Sequence, residues 1–221
     1  MAGYLRRVAR LAISHETIYR HIWADRRQGG TLDTHLRGAR KQRRKRYGRY
    51  DSRGRLAGKR AITDRPAAVA ARTELGHWEV DTVLGAGDRA CVLSLVERKS
   101  GYLVLGKLAA RSTTEVTRRA IQLIARERRL VRTVTADNGT EFHDYAAIEA
   151  ATGVQFYFAT PHHAWERGTN ENTNGLLRQF LPKGQSMAHL TQRDCDTLAR
   201  TLNPRPRKRL GYCTPEECYA R

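Results

Sequence analysis

Three acids, Asp81, Asp137 and Glu171, are spaced so that they could do chemistry together. Asp81 lies inside the run His77-Trp78-Glu79-Val80-Asp81-Thr82-Val83-Leu84, which reads as a β-strand. Asp137 ends a second strand-like run, Thr133-Val134-Thr135-Ala136, just ahead of the turn signal Asn138-Gly139. Glu171 stands early in a stretch from Trp165 to Pro182 that opens polar and closes apolar. Read as a helix, that stretch lines up Leu176, Leu177, Phe180 and Leu181 as one apolar stripe, with Thr169 as a cap and Pro182 as a stop. Glu171, Asn174 and Arg178, three and four residues apart, then share another face. An acid inside an apolar strand is costly to bury unless it is paired or binds a metal. Two strand acids and one helix acid, with no matching cations, form a set of hard oxygen donors that suits Mg²⁺. Two such ions activate a water or a 3′-hydroxyl and stabilise the leaving oxygen of a phosphodiester. Taken alone, Glu171 reads first as an acid complementing a helix dipole, and only the placement of the other two acids reverses that order.

The elements that must position these acids follow from periodicity and turn residues. Strands are expected over 77–84, 91–97 and 102–107. The capping box Ser112-Thr113-Thr114-Glu115 opens a helix to about 129, with Val116, Ala120, Leu123 and Ile124 inward. A strand over 131–136, a helix over 145–151, a strand over 154–158 and the Glu171 helix complete a βββαβαβα order with a mixed sheet. A short helix over 66–72 leads in. Downstream, 191–202 reads as a helix with Cys195, Leu198 and Leu202 as its stripe. A basic, proline-stiffened segment follows, and a last short helix starts at Thr214-Pro215.

Net charge is +19, from 41 Lys/Arg against 22 Asp/Glu, and the sequence pI is about 10.6. Such an excess calls for a polyanionic partner, nucleic acid before anionic membrane. It is concentrated: residues 1–65 hold 19 Lys/Arg and 5 Asp/Glu, or +14, which leaves +5 for the remainder. Residues 1–13 read as an amphipathic helix, and Ser14 caps a second that carries His15, Thr17, Tyr19 and Arg20 away from its apolar Ile18 and Ile22. The pair reads as part of a helix-turn-helix whose second helix enters a major groove, with a plain surface helix pair as the alternative. Residues 37–60 carry twelve Lys/Arg and one acid, densest at Arg43, Arg44, Lys45 and Arg46. That composition cannot bury a core, and reads as an arm tracking phosphates or as a solvated linker. No apolar run of about twenty residues is present, and no apolar signal core stands at the N-terminus. Four cysteines, without scaffold density, point to a reducing, cytosolic setting. Cys213 and Cys218 lack the second close pair a structural zinc site needs. Among secondary candidates, Glu79 shares Asp81's strand face and is a weaker metal candidate. Asn170 and Arg167 flank Glu171 and suit contacts with a DNA backbone. Asn138, Glu141, His162, His163 and Trp165 read first as structural or loop residues, with DNA contact as the alternative for Asn138 and the two histidines and a substrate-adjacent place for Glu141.

The words around the acids carry a resemblance. GHWEVDTVLGAG, TADNGTEF, ATPHHAWERGTNENTNGLLRQFLPKG and LNPRPRKRLGYCTPEE resemble bacterial insertion-sequence transposases of the IS-thirty family, from about Ser14 to the C-terminus. Asp81, Asp137 and Glu171, the last two separated by thirty-three residues, resemble the Asp-Asp-Glu triad of transposases and retroviral-type integrases. The resemblance implies an α/β, ribonuclease-H-like integrase core: a five-stranded mixed sheet with flanking helices, its first and fourth strands adjacent. A partial helix-turn-helix and a basic arm precede it. The implied organisation is a partial helix-turn-helix over 1–36, a basic linker over 37–65, the catalytic core over 66–182 and a helical, basic extension over 183–221. The family implies two Mg²⁺ ions, with Mn²⁺ as a substitute. Asp81 would bridge both ions, with Asp137 on one and Glu171 on the other. It implies cleavage at element ends and 3′-hydroxyl strand transfer into target DNA. Implied partners are double-stranded DNA, as terminal inverted repeats and target, and further copies of the chain on that DNA, with no membrane. The setting implied is a bacterial cytoplasm, at the nucleoid. The expected DNA-contact set is Ser14, His15, Thr17, Tyr19, Arg20, Arg43, Arg44, Lys45, Arg46, Asn170, Asn174 and Arg178. Against the family pattern the chain begins late, as a copy missing its first DNA-binding helices. Two other readings stay open: an idle remnant that binds DNA or interferes with intact transposase, and an RNA-processing nuclease on the same fold.

Overall fold

In the computed structural model, residues 1–36, 58–87, 89–127, 131–161 and 163–220 are described. The expected arm contacts at Arg43, Arg44, Lys45 and Arg46, and His162, lie outside the described residues. The chain divides into two compact units, Met1–Asp51 with Pro206–Thr214, and Ser52–Arg205 with Pro215–Arg221.

The first unit carries two helices, α1 (Ala2–Val8) and α2 (His15–Arg27). α1 ends before residue 13, and Arg10 follows at φ 52, a left-handed backbone that a helix cannot continue through. Ser14 caps α2 as expected: its Oγ accepts from the Thr17 amide at 3.1 Å and shares a hydrogen bond with the Thr17 hydroxyl at 2.9 Å. After Gly29, at φ 83, the Leu32 amide donates to the Asp25 carboxylate at 3.0 Å, which folds the turn back on α2. The segment Pro206–Thr214 belongs to this unit. The Tyr212 ring covers Gly3, where an added Cβ would fall 2.1–2.4 Å from ring atoms. Neither α1 nor α2 buries a residue.

The second unit is built on five strands: β1 (His77–Leu84), β2 (Cys91–Glu97), β3 (Leu103–Leu108), β4 (Thr133–Ala136) and β5 (Gln155–Phe158). A short α3 (Ala67–Ala71) precedes them. α4 (Thr113–Arg126) and α5 (Tyr145–Thr152) fall between strands, and α6 (Gly168–Leu177), α7 (Gln192–Leu202) and α8 (Pro215–Ala220) follow. The sheet order is β3-β2-β1-β4-β5, antiparallel across β1–β2–β3 and parallel across β1–β4–β5. This is the mixed, ribonuclease-H-like sheet expected, with the first and fourth strands adjacent.

Apolar side chains cover both sheet faces. On one, Trp78, Val80, Leu93, Leu95, Val134 and Phe156 pack with Val116, Ala120, Leu123 and Ile124, the inward residues expected of α4. On the other, Val83, Val92, Val96 and Leu105 pack with Leu176 and Leu177 of α6 and Cys195 and Leu202 of α7. Each fully buried aliphatic side chain contributes roughly 1.5–3 kcal/mol by leaving water. β2, between two partners, is buried at every position. The edge strand β3 is shielded by two amides. The Lys107 amide donates to the Gln192 side-chain oxygen at 2.9 Å, and the Gln192 side-chain NH₂ donates to the Leu105 carbonyl at 2.9 Å. Asn203 accepts from the Leu103 amide and donates to its carbonyl, both at 2.9 Å. The last helix is anchored: Tyr219 stacks on Tyr102 with centroids 4.3 Å apart and meets Trp78 edge-on.

Candidate active site

Two registers bring the site together. The first is the parallel pairing of β1 with β4, which sets His77, Trp78 and Glu79 opposite Thr133, Val134 and Thr135, a constant offset of 56. Carried two residues further, that offset sets Asp81 level with Asp137 (137 − 81 = 56) on strands about 4.8 Å apart. Asp137 is the first residue past β4, and its Oδ1 accepts from the Gly139 amide at 2.8 Å, a turn closed by its own side chain. Gly139 is required for space rather than for a positive φ. Its φ is −63, and an added Cβ would lie 2.8 Å from Asp137 Oδ1 and 2.3 Å from Glu141 Oε2.

The second register matches α6 to β1. Residues two apart on a strand advance about 6.6 Å, and residues four apart on a helix about 6 Å, so contacts can repeat. They do repeat: the Asn170 amide donates to Glu79 Oε2 at 2.7 Å, and the Asn174 side-chain amide donates to Asp81 Oδ2 at 2.8 Å. One turn on, Arg178 donates to the Leu84 carbonyl at 2.9 Å. Asn174 also meets Ser94 of β2, the residue paired with Asp81 across the antiparallel ladder.

Between the two carboxylates stands Arg167, the last residue before α6. Its Nη2 is 3.4 Å from Asp137 Oδ2, and its Nη1 is 3.7 Å from Asp81 Oδ1 and donates to the Val80 carbonyl at 3.2 Å. The side chains of Asp81, Asp137 and Arg167 are 21%, 27% and 16% exposed. Burial raises the Asp81 carboxyl above its ordinary value; Arg167 opposes that rise and Asp137 reinforces it. Burial lowers the Arg178 guanidinium from its ordinary value, and Asp81 opposes the change.

This is a pair of carboxylates on neighbouring parallel strands, aimed at one shared cation. Residues 71–164 match the family model for the integrase core domain. That stretch resembles an integrase core. Over 205 residues it is 40% identical to the transposase for insertion sequence element IS4351 of Bacteroides fragilis, covering 93% of this chain and 63% of that protein. It is 42% identical over 219 residues to the transposase for element IS1086 of Cupriavidus metallidurans, covering 95% of this chain and 63% of that protein. It is 35% identical over 231 residues to transposase InsI for element IS30A of Escherichia coli, covering 100% of this chain and 60% of that protein. The chain thus spans about three-fifths of the length of these relatives. Among solved structures, the catalytic core domain of BIV integrase aligns with TM-score 0.49 at 20% identity, over 66% of this chain and 93% of that one.

The expected trio stands as a pair. Among the described residues, no three His, Cys, Asp or Glu side chains are arranged to hold one metal. Glu171 lies in the first turn of α6, exposed, one turn before Asn174 on the same side. Hard oxygen donors that already share a cation fit a divalent ion in chemistry, and Asp81 and Asp137 are the residues that would hold it.

Several neighbours differ from expectation. Thr169 is not the cap of α6; it is buried in the first turn, where its hydroxyl accepts from Arg72 at 3.0 Å. Asn170, expected to reach DNA, is 1% exposed because it faces the sheet, and this corrects that expectation. Glu79 is no metal candidate: it is buried, ion-paired with Arg98 and bound to the Asn170 amide. Asn174 and Arg178 are turned onto β1. On α2, His15, Tyr19 and Arg20 are exposed, whereas the Ser14 and Thr17 hydroxyls bond to each other. Glu141, read from sequence as structural or substrate-adjacent, is buried beside the pair. Its Oε1 accepts from the Thr82 hydroxyl at 2.9 Å and from Arg111 at 2.6 Å, while its buried Oε2 has no hydrogen-bond partner among the described residues. Asn138 accepts from Lys59 and donates to the Ala159 carbonyl at 2.7 Å, which ties the Asp137 turn to its surroundings.

Proposed function

We propose that the chain is a divalent-metal-dependent DNA transposase core. It would cut phosphodiesters at the ends of an insertion sequence and transfer the freed 3′-hydroxyl into target DNA. The single observation supporting this reading is Asp81 and Asp137, level on parallel strands and facing one cation. When bound there, Mg²⁺, or Mn²⁺ in its place, supplies charge neutralisation for the phosphodiester and activation of the attacking oxygen. The chain's own residues position. Asn174 and the Thr82 amide fix the Asp81 carboxylate, and the Gly139 amide fixes Asp137. Glu171, exposed in the first turn of α6, would be the third acid on turning in. Arg178 lies near enough to Asp81 to offset phosphate charge beside it.

In the first reaction, water attacks the phosphorus in line: a P–O bond to the water oxygen forms, the P–O3′ bond breaks, and the 3′-oxygen leaves as a hydroxyl with the water's proton, opposite a 5′-phosphate. In the second, that hydroxyl attacks a target phosphodiester in line. One P–O bond forms, one breaks, and the target's own 3′-hydroxyl leaves with the proton. Neither step needs a covalent protein intermediate. His15, Tyr19 and Arg20 on α2, with Arg43, Arg44, Lys45 and Arg46, are the proposed phosphate and base contacts. Association into a homo-oligomer on paired ends belongs to the same proposal. In a metal-dependent nicking assay on duplex DNA, Asp81→Asn, Asp137→Asn and Glu171→Gln should each fall to background while DNA binding persists. Nicking retained by all three variants refutes the acid assignment. Binding without nicking by the unaltered chain favours the idle-remnant reading.

A further inference from the structure

The acid pair already has a cation, and it is part of the chain. Arg167 spans Asp81 and Asp137, one strand to each side, and donates to the Val80 carbonyl between them. Each carboxylate has its outer contacts satisfied elsewhere. Asp81 Oδ2 takes the Asn174 amide, Asp81 Oδ1 also takes the Thr82 amide at 2.9 Å, and Asp137 Oδ1 takes the Gly139 amide. The two oxygens that face the shared position, Asp81 Oδ1 and Asp137 Oδ2, are the two that face the guanidinium.

We propose that Arg167 is a displaceable counterion of the acid pair: guanidinium and divalent cation compete for the same two oxygens, so the chain without DNA is held in a metal-poor state. This rests on the metal-dependent reading above and adds to it a control on when metal enters. The guanidinium holds the carboxylates aligned while the site waits, which makes Arg167 a positioning residue. Its departure does not require α6 to move. The helix start is fixed by other contacts, the Asn170 amide on Glu79 and the Thr169 hydroxyl on Arg72. The next residue, Gly168, has open space around it, and Trp165 on the preceding 3-10 turn is exposed. A phosphodiester is the partner that would draw Arg167 away, because a planar guanidinium takes phosphate oxygens in the same forked manner as carboxylates. DNA arriving at the site would then free the acids for metal, and by linkage metal would strengthen DNA binding by the same factor.

The test is Mn²⁺ affinity of the full chain without DNA, read by electron paramagnetic resonance of free Mn²⁺ and checked by calorimetry. The wild type should show weak binding that Asp81→Asn and Asp137→Asn abolish. Arg167→Gln should tighten Mn²⁺ by roughly tenfold or more, since a competing unit charge within about 4 Å of both ligands is gone. Arg167→Met, which keeps the aliphatic stem, should do the same and serves if the Gln variant folds poorly by circular dichroism. Arg178→Gln removes a charge of the same sign whose hydrogen bonds go to main-chain carbonyls rather than to the acids. It should change the affinity less than about threefold if competition, rather than bulk charge, is the cause. Equal affinity in wild type and both Arg167 variants, with binding still dependent on the two acids, overturns the counterion proposal alone. A tightening in Arg178→Gln as large as in Arg167→Gln overturns it too. No acid-dependent Mn²⁺ binding in any variant removes the metal reading and the proposal with it.

Discussion

Replacing Glu79 by Gln should destabilise the core domain severely, and the structure says why. Glu79 is fully buried on β1, with Oε1 against the buried Arg98 guanidinium and Oε2 accepting the Asn170 amide at the start of α6. Gln keeps the shape and removes the charge. Arg98 is then a buried cation without its opposing charge, and the single amide oxygen of Gln cannot accept from both Arg98 and the Asn170 amide, while the Val69 carbonyl is already used by Arg98 Nε at 3.1 Å. Burial lowers the Arg98 guanidinium from its ordinary value, and Glu79 is the first influence opposing that shift. Removing one partner of a buried ion pair costs about 3–5 kcal/mol, whereas replacing both with apolar residues of similar volume is often neutral. Against a total stability of about 5–15 kcal/mol, the single change is a large fraction. The assay is urea unfolding followed by tryptophan fluorescence and far-ultraviolet circular dichroism, with Glu79→Gln, Arg98→Met and the Glu79→Leu/Arg98→Met double variant. Each single variant should lose at least about 3 kcal/mol, and the double should recover more than half of the summed loss. If either single variant loses less than about 1 kcal/mol, or the double loses the full sum, the buried pair does not hold α6 to β1 in this way.

Other expectations follow from single contacts. Gly139→Ala forces a Cβ to within 2.8 Å of Asp137 Oδ1 and 2.3 Å of Glu141 Oε2, so nicking should fall to background while the circular dichroism spectrum stays native. Thr191→Ala removes a capping box on α7, where the hydroxyl accepts the Asp194 amide at 3.2 Å; it should cost about 1 kcal/mol, read as a drop of roughly 2–4 °C in melting temperature. Cys91 and Cys195 are buried and burial pushes the Cys195 thiol up to about 11, so an alkylating reagent at pH 8 should label Cys213 and Cys218 first, by mass spectrometry. The raised Asp81 carboxyl makes the folded form the better proton binder, so its stabilising contribution is present at low pH and lost as pH rises from 3.8 through the raised value. The melting temperature of Asp81→Asn minus that of wild type should therefore be larger at pH 7 than at pH 4; a flat or falling difference refutes the assignment.

What the sequence made legible was what apolar periodicity reports. The strands, α4 with its inward face, and the Leu176–Leu177 half of α6 are set by burial against the sheet, and the pattern shows it. The first half of α6 was not legible. Thr169, Asn170 and Thr173 are buried there, the Asn170 amide meets Glu79 and the Asn174 side chain meets Asp81 and Ser94, so the buried face of the helix is polar. A polar face packed on a polar strand leaves no hydrophobic signal, so Asn170 read as an outward residue. Phe180 read as core because the stripe was extended past the true helix end at Leu177; it is exposed, with Arg205 over its ring at 5.1 Å. Arg167 was visible as a basic residue but not as the partner of Asp81 and Asp137, because that contact depends on which strands are neighbours. Glu141 was named as structural, but its partner was hidden in the same way, the Arg111 guanidinium lying 30 residues away in sequence.

The two registers together explain why the acids can be close without collapsing into a charge-repelled site. The parallel ladder alone would set two carboxylates side by side, and like charges at that range disfavour ionisation of both. α6 answers on the same side with graded donors: a neutral amide from Asn174 on one oxygen of Asp81, a guanidinium from Arg167 across both acids, and Arg178 one turn beyond. Because those donors sit on or beside one helix whose steps match the strand, moving α6 by a turn would remove them all at once. The helix is therefore docked before any metal or DNA arrives, by Glu79, Arg72 and the Leu176–Leu177 face. What remains variable is at its edge: the Arg167 side chain, and Glu171 on the exposed side one turn before Asn174. On this geometry, exchanging one positive group for another between Asp81 and Asp137, with Glu171 turning in, completes the site by side-chain motion while the sheet and α6 stay in place.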